Sequence, residues 1–301
     1  MRYGVMLDQF KPIDDVIGQA RSIAAQGYSS VWLSQVFGYD ALTLLALIGR
    51  EVPGVELGTG VVPIYPRHPL TLAAQALTTQ AASAGRLALG IGLSHQVVVE
   101  GMWGYSFDKP VRAMREYLAV LNPALRGEQV QFEGETVKAM TMGPLNIRVD
   151  GPPALLIAAL GPAMLKLTGE QADGTVTWMT GPGTLEGHIV PALTAAAEAA
   201  GRPAPRIVAA LPVCITSDVD AARAQAAKVY AIYGTLPSYR AMLDREGAAG
   251  PADVAIAGDE ATVAKAVDRL ADAGVTDFVA TQLGTPQEWA ATLEFLARRF
   301  G

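Results

Sequence analysis

Residues 2–14 read RYGVMLDQFKPID, and the turn inside them decides between two α/β folds. Arg2 to Asp8 is a β-rich run, and from Ile13 to Gln26 the apolar residues Val16, Ile17, Ala20, Ile23 and Ala24 recur at helical spacing. Gly27 follows, where a helix C-terminus favours glycine. An open doubly wound sheet that binds dinucleotides carries a glycine-rich first turn, and DQFKPID contains no GxGxxG. The closed barrel is therefore the better expectation, with catalytic groups gathered at the C-terminal ends of its strands.

The same strand-then-helix rhythm continues outward. Strands are predicted at SSVWLS (29–34), VELGTGVV (55–62), RLALGIG (86–92), ALLIAAL (154–160), TVTWMT (175–180), IVAALPVCI (207–215) and TDFVATQ (276–282), which with the first makes eight. Helices are predicted over Ala41 to Glu51, after Pro69, from Pro110 to about Leu125, from about Pro162, up to about Ala200, from Ala221 to Tyr233, and from Glu260 to Ala273. One block breaks the rhythm. Between Gly127 and Pro153, QVQFEG and ETVKAM read as a hairpin inserted after the fourth helix. The expectation is one (β/α)8 TIM-barrel domain over residues 1–301, with an insertion at about 127–153.

Composition narrows the chemistry. The chain has 301 residues, half of them hydrophobic, enough for one large core. The net charge of −6 is spread along it with no basic run, so neither nucleic acid nor an anionic membrane is an expected partner. A small-molecule substrate is. Cys214 is the single cysteine and His68, His95 and His188 are far apart in sequence, so no metal site is expected. The N-terminus lacks the apolar core of a signal peptide, and a cytoplasmic location is the expectation. There is no GxSxG, HExxH or GxxxxGK[ST], which removes the hydrolase, zinc-protease and P-loop readings.

Polar residues collect at the strand ends: Asp8 and Gln9, Ser34 and Gln35, Thr59 and Gly60, Ser94 and His95, Trp178 and Thr180, Thr281 and Gln282. Together they would ring one mouth. Gly58 and Gly60 interrupt a strand either for close approach of a ligand or for tight packing in a small barrel. Gly161 and Pro162 open a helix whose unpaired amides suit a phosphate, or simply make an ordinary turn. His95 is the one imidazole at a strand end, either a proton carrier or a hydrogen-bonded structural group. His68 and His188 read as structural.

Four strings, LGTGVVPIYPRHPLTLAAQ (57–75), GRLALGIGLSHQ (85–96), LLIAALGPAMLKLTGEQADGTVTW (155–178) and GDEATVAKAVDRLADAGVTDFV (258–279), resemble in order and spacing the luciferase-like superfamily, and within it the deazaflavin-dependent oxidoreductases that use coenzyme F420. The resemblance implies a TIM barrel, a homodimer, and a cofactor ring seated at the mouth against a non-prolyl cis peptide, here Gly60 to Val61. It implies a phosphate-binding turn at Ala158, Ala159, Leu160, Gly161 and Pro162. Trp178, Met179 and Thr180 would flank the cofactor, with Asp8 and Thr59 also in its seat. F420 is the expected cofactor and FMN, serving a monooxygenase, the alternative; a barrel that binds a ligand without turnover is a third reading. Arg67, Lys166 and the loop in the 180s would follow the acidic tail of F420. Sugar-phosphate and alcohol dehydrogenases of this family carry Asp-His after the second strand and Glu after the fourth. Here Ser34, Gln35 and His95 stand in those places, so the catalytic set is expected to be Ser34, Gln35 and His95, and reduction of an imine or enone is favoured over alcohol oxidation.

Overall fold

A computed structural model describes residues 1–300. Eight parallel strands close on themselves: β1 (Arg2–Met6), β2 (Ser30–Leu33), β3 (Glu56–Thr59), β4 (Leu87–Gly92), β5 (Ala154–Ile157), β6 (Gly174–Trp178), β7 (Arg206–Ile215) and β8 (Asp277–Gln282). Each pairs with the next, and β8 returns to β1 with Arg2 opposite Asp277, which closes the barrel. Helices α1 (Ile13–Ala25), α2 (Ala41–Glu51), α3 (Pro69–Ala82), α4 (Pro110–Leu125), α5 (Pro162–Gln171), α6 (Val190–Ala199), α7 (Glu260–Asp272) and α8 (Pro286–Phe300) surround it. The helix starts follow local chemistry: Asp40 and Asp259 cap α2 and α7 by accepting from the backbone N–H of Thr43 and Thr262, both at 2.8 Å. Pro69, Pro110 and Pro162 sit where a helix has no use for their missing N–H.

The inserted hairpin pairs Gln131–Glu133 antiparallel with Lys138–Met140. His68 ties it down, its Nε2 donating to the Lys138 carbonyl at 3.0 Å while Nδ1 accepts from Leu70 N at 3.3 Å. The third strand departs from its expected continuous run. It stops at Thr59, the Gly60–Val61 peptide is cis, and Val62–Pro63 resumes pairing with β4. Glycines in β4 make room: a Cβ on Gly92 would lie 2.8 Å from Val61 Cγ2. Four further elements lie beyond the sequence expectations. These are a short helix at Gln96–Gly101, a helix at Pro237–Glu246, an edge strand at Ile256–Gly258, and α8. The helix expected through Tyr233 ends instead at Val229.

The barrel interior has its own core of Trp32, Ala88, Leu156, Val176, Val208, Ala210 and Val279. Trp32 is fully buried and spreads across the lumen toward Gly58, where any side chain would strike its ring. Arg206 lies over the same indole, 5.8 Å from the ring centroid, and bonds Asp277 and Glu56 at 2.6 Å each. This plug of stacked guanidinium and indole fills the N-terminal half of the lumen. Any ligand space is left at the C-terminal mouth.

Candidate active site

Above the lumen core Met6, Val61 and Trp178 pack as partly buried side chains. An added Cβ on Gly60 would come no nearer than 3.3 Å to Met6 Cε, in contrast to Gly58. The two glycines that the sequence left undivided thus separate: Gly58 yields to Trp32, and Gly60 has room for a methyl group against the flexible end of Met6. Ser34 Oγ donates to the Gly60 carbonyl at 2.9 Å and lies 3.5 Å from Met6 Sδ, so it braces the segment at Gly60. Thr59 Oγ1 points the other way and joins the strands, donating to Gly90 O and accepting from Gly90 N at 2.8 Å each. Gln35 is occupied by its own loop. Its Oε1 accepts from Ala41 N at 2.8 Å, and its Nε2 faces the carbonyls of Val36 and Tyr39.

Beyond β5, Ala158 N donates to Ile91 O at 2.9 Å, which turns the chain toward α5. Gly161 caps α5 with open space where a side chain would be, and His188 Nε2 donates to the Leu160 carbonyl at 2.8 Å. Beyond β6, Met179 is buried in the left-handed region at φ 51°, and Ser94, beyond β4, holds φ 61°. Such backbone costs a non-glycine residue about 1 kcal/mol or more and concentrates at ligand sites. Thr180 Oγ1 turns back onto the Trp178 carbonyl at 3.2 Å. Asp8 accepts from Phe10 N at 3.2 Å and lies 3.9 Å from Lys11.

A second insertion lies between β7 and α7, of which the sequence reading anticipated only the helix expected over Ala221 to Tyr233. It packs against the loop after β6, where Glu246 accepts from the N–H of Gly183 at 3.0 Å and of Thr184 at 2.6 Å. Its Tyr230, Tyr233 and Tyr239 form a strap: Trp178 meets Tyr230 and Tyr233 edge-on with centroids 5.4 and 5.9 Å apart, Tyr233 meets Tyr239 at 4.9 Å, and Tyr239 meets His95 at 5.8 Å. The strap therefore runs from the end of β4 to the end of β6. Three tyrosines within YAIYGTLPSY (230–239) were the available signal.

The strap is uncharged. Burial lowers the pKa of His95, favouring the neutral imidazole, and raises those of all three tyrosines, keeping their hydroxyls protonated. No Asp, Glu, Lys or Arg contributes to any of these four shifts. Trp178 Nε1 lies beside the Tyr233 hydroxyl and opposes the effect of burial on it, without reaching hydrogen-bond geometry.

Buried polar atoms without a partner are rare in folded proteins and mark places where a ligand or water completes the set. Among the described residues six such side-chain atoms occur, and four of them, on Gln9, Tyr65, Trp178 and Thr281, lie just beyond or at the C-terminal ends of β1, β3, β6 and β8. Two surface clefts, of about 200 Å³ beside Gln80 and about 530 Å³ beside Asn122 and Arg202, adjoin the opposite strand ends. Of the residues expected to follow an acidic tail, Arg67 is instead paired with Asp40, and Lys166 is exposed on α5 at 3.9 Å from Glu170. Among the described residues no three metal-ligating side chains gather, and no helix is long and apolar enough to cross a membrane.

Known proteins agree with this architecture. A 5,10-methylenetetrahydromethanopterin reductase of Methanolobus tindarius is 29% identical over 82% of this chain and 75% of its own length. The coenzyme F420-dependent tetrahydromethanopterin reductase of Methanopyrus kandleri superposes with a TM-score of 0.83 at 24% identity, over 99% of this chain and 97% of that one. The FMN complex of the oxygenating component of a Pseudomonas putida 3,6-diketocamphane monooxygenase superposes with a TM-score of 0.78 at 17% identity, over 99% and 97%. At those identities the superpositions speak for the fold alone. The sequence pattern of the luciferase-like monooxygenases, however, matches residues 1–300, every strand and helix of the barrel included, and the chain belongs to that family.

Proposed function

We propose that this protein is an F420-dependent oxidoreductase acting as a reductase on a small organic acceptor such as an imine or enone. The observation that carries the reading is the gathering of unpartnered buried polar atoms at one barrel mouth, above a plugged lumen and beside an open helix N-terminus. Such a mouth suits a flat polar ring joined to a phosphate, and the residues present fit one. Gly60 and Val61 would back the ring, with Asp8 and Thr59 near its edge and Trp178, Met179 and Thr180 on its flank. Ala158 to Pro162 would take the phosphate on the free amides that open α5. When bound, the deazaflavin supplies or accepts hydride; the protein orients it and excludes solvent.

The reductive direction follows from the proton-carrying groups. Alcohol oxidation needs a base to take the hydroxyl proton, and Gln35 is neither basic nor free of its loop. His95 stands alone, without a carboxylate to orient it or raise its basicity. Ser34 acts as a positioning residue through Gly60.

The FMN-dependent monooxygenase reading is favoured by the family pattern and by the FMN-bound relative. Fluorescence-quench titrations with F420 and, separately, with FMN decide between them. Micromolar or tighter F420 binding with weak FMN binding is expected. The reverse preference would establish the monooxygenase reading, and binding of neither would make the tyrosine strap a plug and the barrel non-catalytic.

A further inference from the structure

We propose that the acceptor at this mouth is a neutral α,β-unsaturated carbonyl compound, held by its oxygen against the Trp178 N–H and the Thr281 hydroxyl, and not an imine. The inference rests on the deazaflavin reading for its source of hydride and narrows the substrate class of that same site.

Strand register places the two groups. Trp178 of β6 is opposite Ala210 of β7, and Ala210 is opposite Val279 of β8. Ala210 and Val279 belong to the lumen core, on which Trp178 packs. Thr281 stands two residues beyond Val279 and so faces the same lumen one level higher. Between them β7 presents the methyl of Ala210 and, opposite Thr281, the ring of Pro212, neither of which offers a hydrogen-bonding side chain. Trp178 Nε1 and Thr281 Oγ1 are both fully buried and both lack a hydrogen-bond partner. They are the two unpartnered donors at the ends of β6 and β8.

The surroundings select among acceptors. An imine accepts hydride readily only after protonation, which calls for an acid that is charged or titrates near neutrality, and the iminium then needs a counter-charge. The strap offers neither: His95 is held neutral and the tyrosines keep their protons, while Asp8, the carboxylate at the ring's edge, is turned onto Phe10 N and lies 3.9 Å from Lys11. A conjugated carbonyl needs no prior protonation. Hydride addition at its β-carbon breaks the C=C π bond, and the displaced pair moves through the α-carbon to the carbonyl oxygen. A proton from water then forms the C–H bond at the α-carbon, and the reduced deazaflavin that gave the hydride is left oxidised. In the enolate so formed, negative charge rests chiefly on oxygen, where fixed neutral donors stabilise it most.

The test pairs a spectroscopic arm with a kinetic one. Difference infrared spectra of 2-cyclohexen-1-one are recorded on the protein with and without F420, using the native chain, the isosteric Thr281→Val and Trp178→Phe, each checked for native melting. The carbonyl stretch is expected to fall on binding, and to recover part of the way in each variant. With F420 bound and reduced, kcat/KM for the enone is expected to exceed that for 2-methyl-1-pyrroline at least tenfold, and Thr281→Val to lower the enone value about tenfold or more. An unshifted stretch, a shift indifferent to both substitutions, or a preference for the imine overturns the proposal. Should F420 fail to bind, the deazaflavin reading falls, and the infrared arm still decides whether this mouth recognises a carbonyl.

Discussion

Adding one methyl group at Gly58 and at Gly60, two residues apart, is expected to have opposite consequences. At Gly58 the new Cβ would lie 2.5 Å from Trp32 Cζ3 and closer still to two other ring atoms, against an indole that is 0% exposed and wedged above Arg206. Overpacking of that kind costs about 1–3 kcal/mol. Because the clash is with one named side chain, Trp32→Leu should relieve it: the double variant is expected to be more stable than the sum of the single effects by about 1–3 kcal/mol. At Gly60 the Cβ would press only on the flexible end of Met6 at 3.3 Å and meet Trp32 and Val176 at ordinary contact distances of 3.8 and 3.9 Å, so Gly60→Ala should fold with little loss. Its methyl would enter the lumen where the ring is proposed to sit, weakening F420 binding by roughly tenfold or more, about 1.4 kcal/mol. Denaturant midpoints for the four chains and quench titrations for the two glycine variants provide the readout. Additive effects of Gly58→Ala and Trp32→Leu would refute the floor assignment, and native F420 affinity in Gly60→Ala would refute the seat.

Three other outcomes follow from the geometry. Arg206→Met leaves Glu56 and the buried Asp277 with only the half-exposed Arg2, at 3.1 and 3.7 Å, and is expected to cost up to about 3–5 kcal/mol in urea unfolding, more than an exposed pair such as Arg21 with Glu51. His95 has a folded pKa below its unfolded one, so the unfolded chain binds the extra proton first; stability present above the ordinary histidine pKa is lost as pH falls through the folded value, and thermal melts between pH 7 and pH 5 should flatten in His95→Gln. Glu246→Gln weakens the carboxylate's hold on Gly183 and Thr184, and limited proteolysis should then cut within residues 216–258 faster than in the native chain while leaving the barrel strands intact.

The barrel was legible because each βα unit carries a local signal: apolar spacing in α1, proline at the first position of α3, α4 and α5, aspartate before α7. The hairpin announced itself by alternation. The tyrosine strap did not, since its residues are separated by sequence from the groups they meet: His95 lies 144 positions before Tyr239, and only the closed fold brings them together. Gly58 and Gly60 looked alike for a related reason. What distinguishes them is Trp32, on a neighbouring strand, and no spacing rule reveals which way an indole lies. Gln35 and Arg67 carried plausible chemistry as residue types, but Ala41 N, nearby in the same loop, and Asp40, 27 positions before Arg67, absorb it.

The central claim, that a phosphate-bearing deazaflavin occupies this mouth, is tested most directly by a crystal structure of the protein with F420 bound. The account requires density for the ring against Gly60 and Val61 with Trp178 on its flank, and for the phosphate at the amides that follow Gly161. A ring bound elsewhere, or a mouth still filled by Tyr233 and Tyr239 at saturating cofactor, would contradict it.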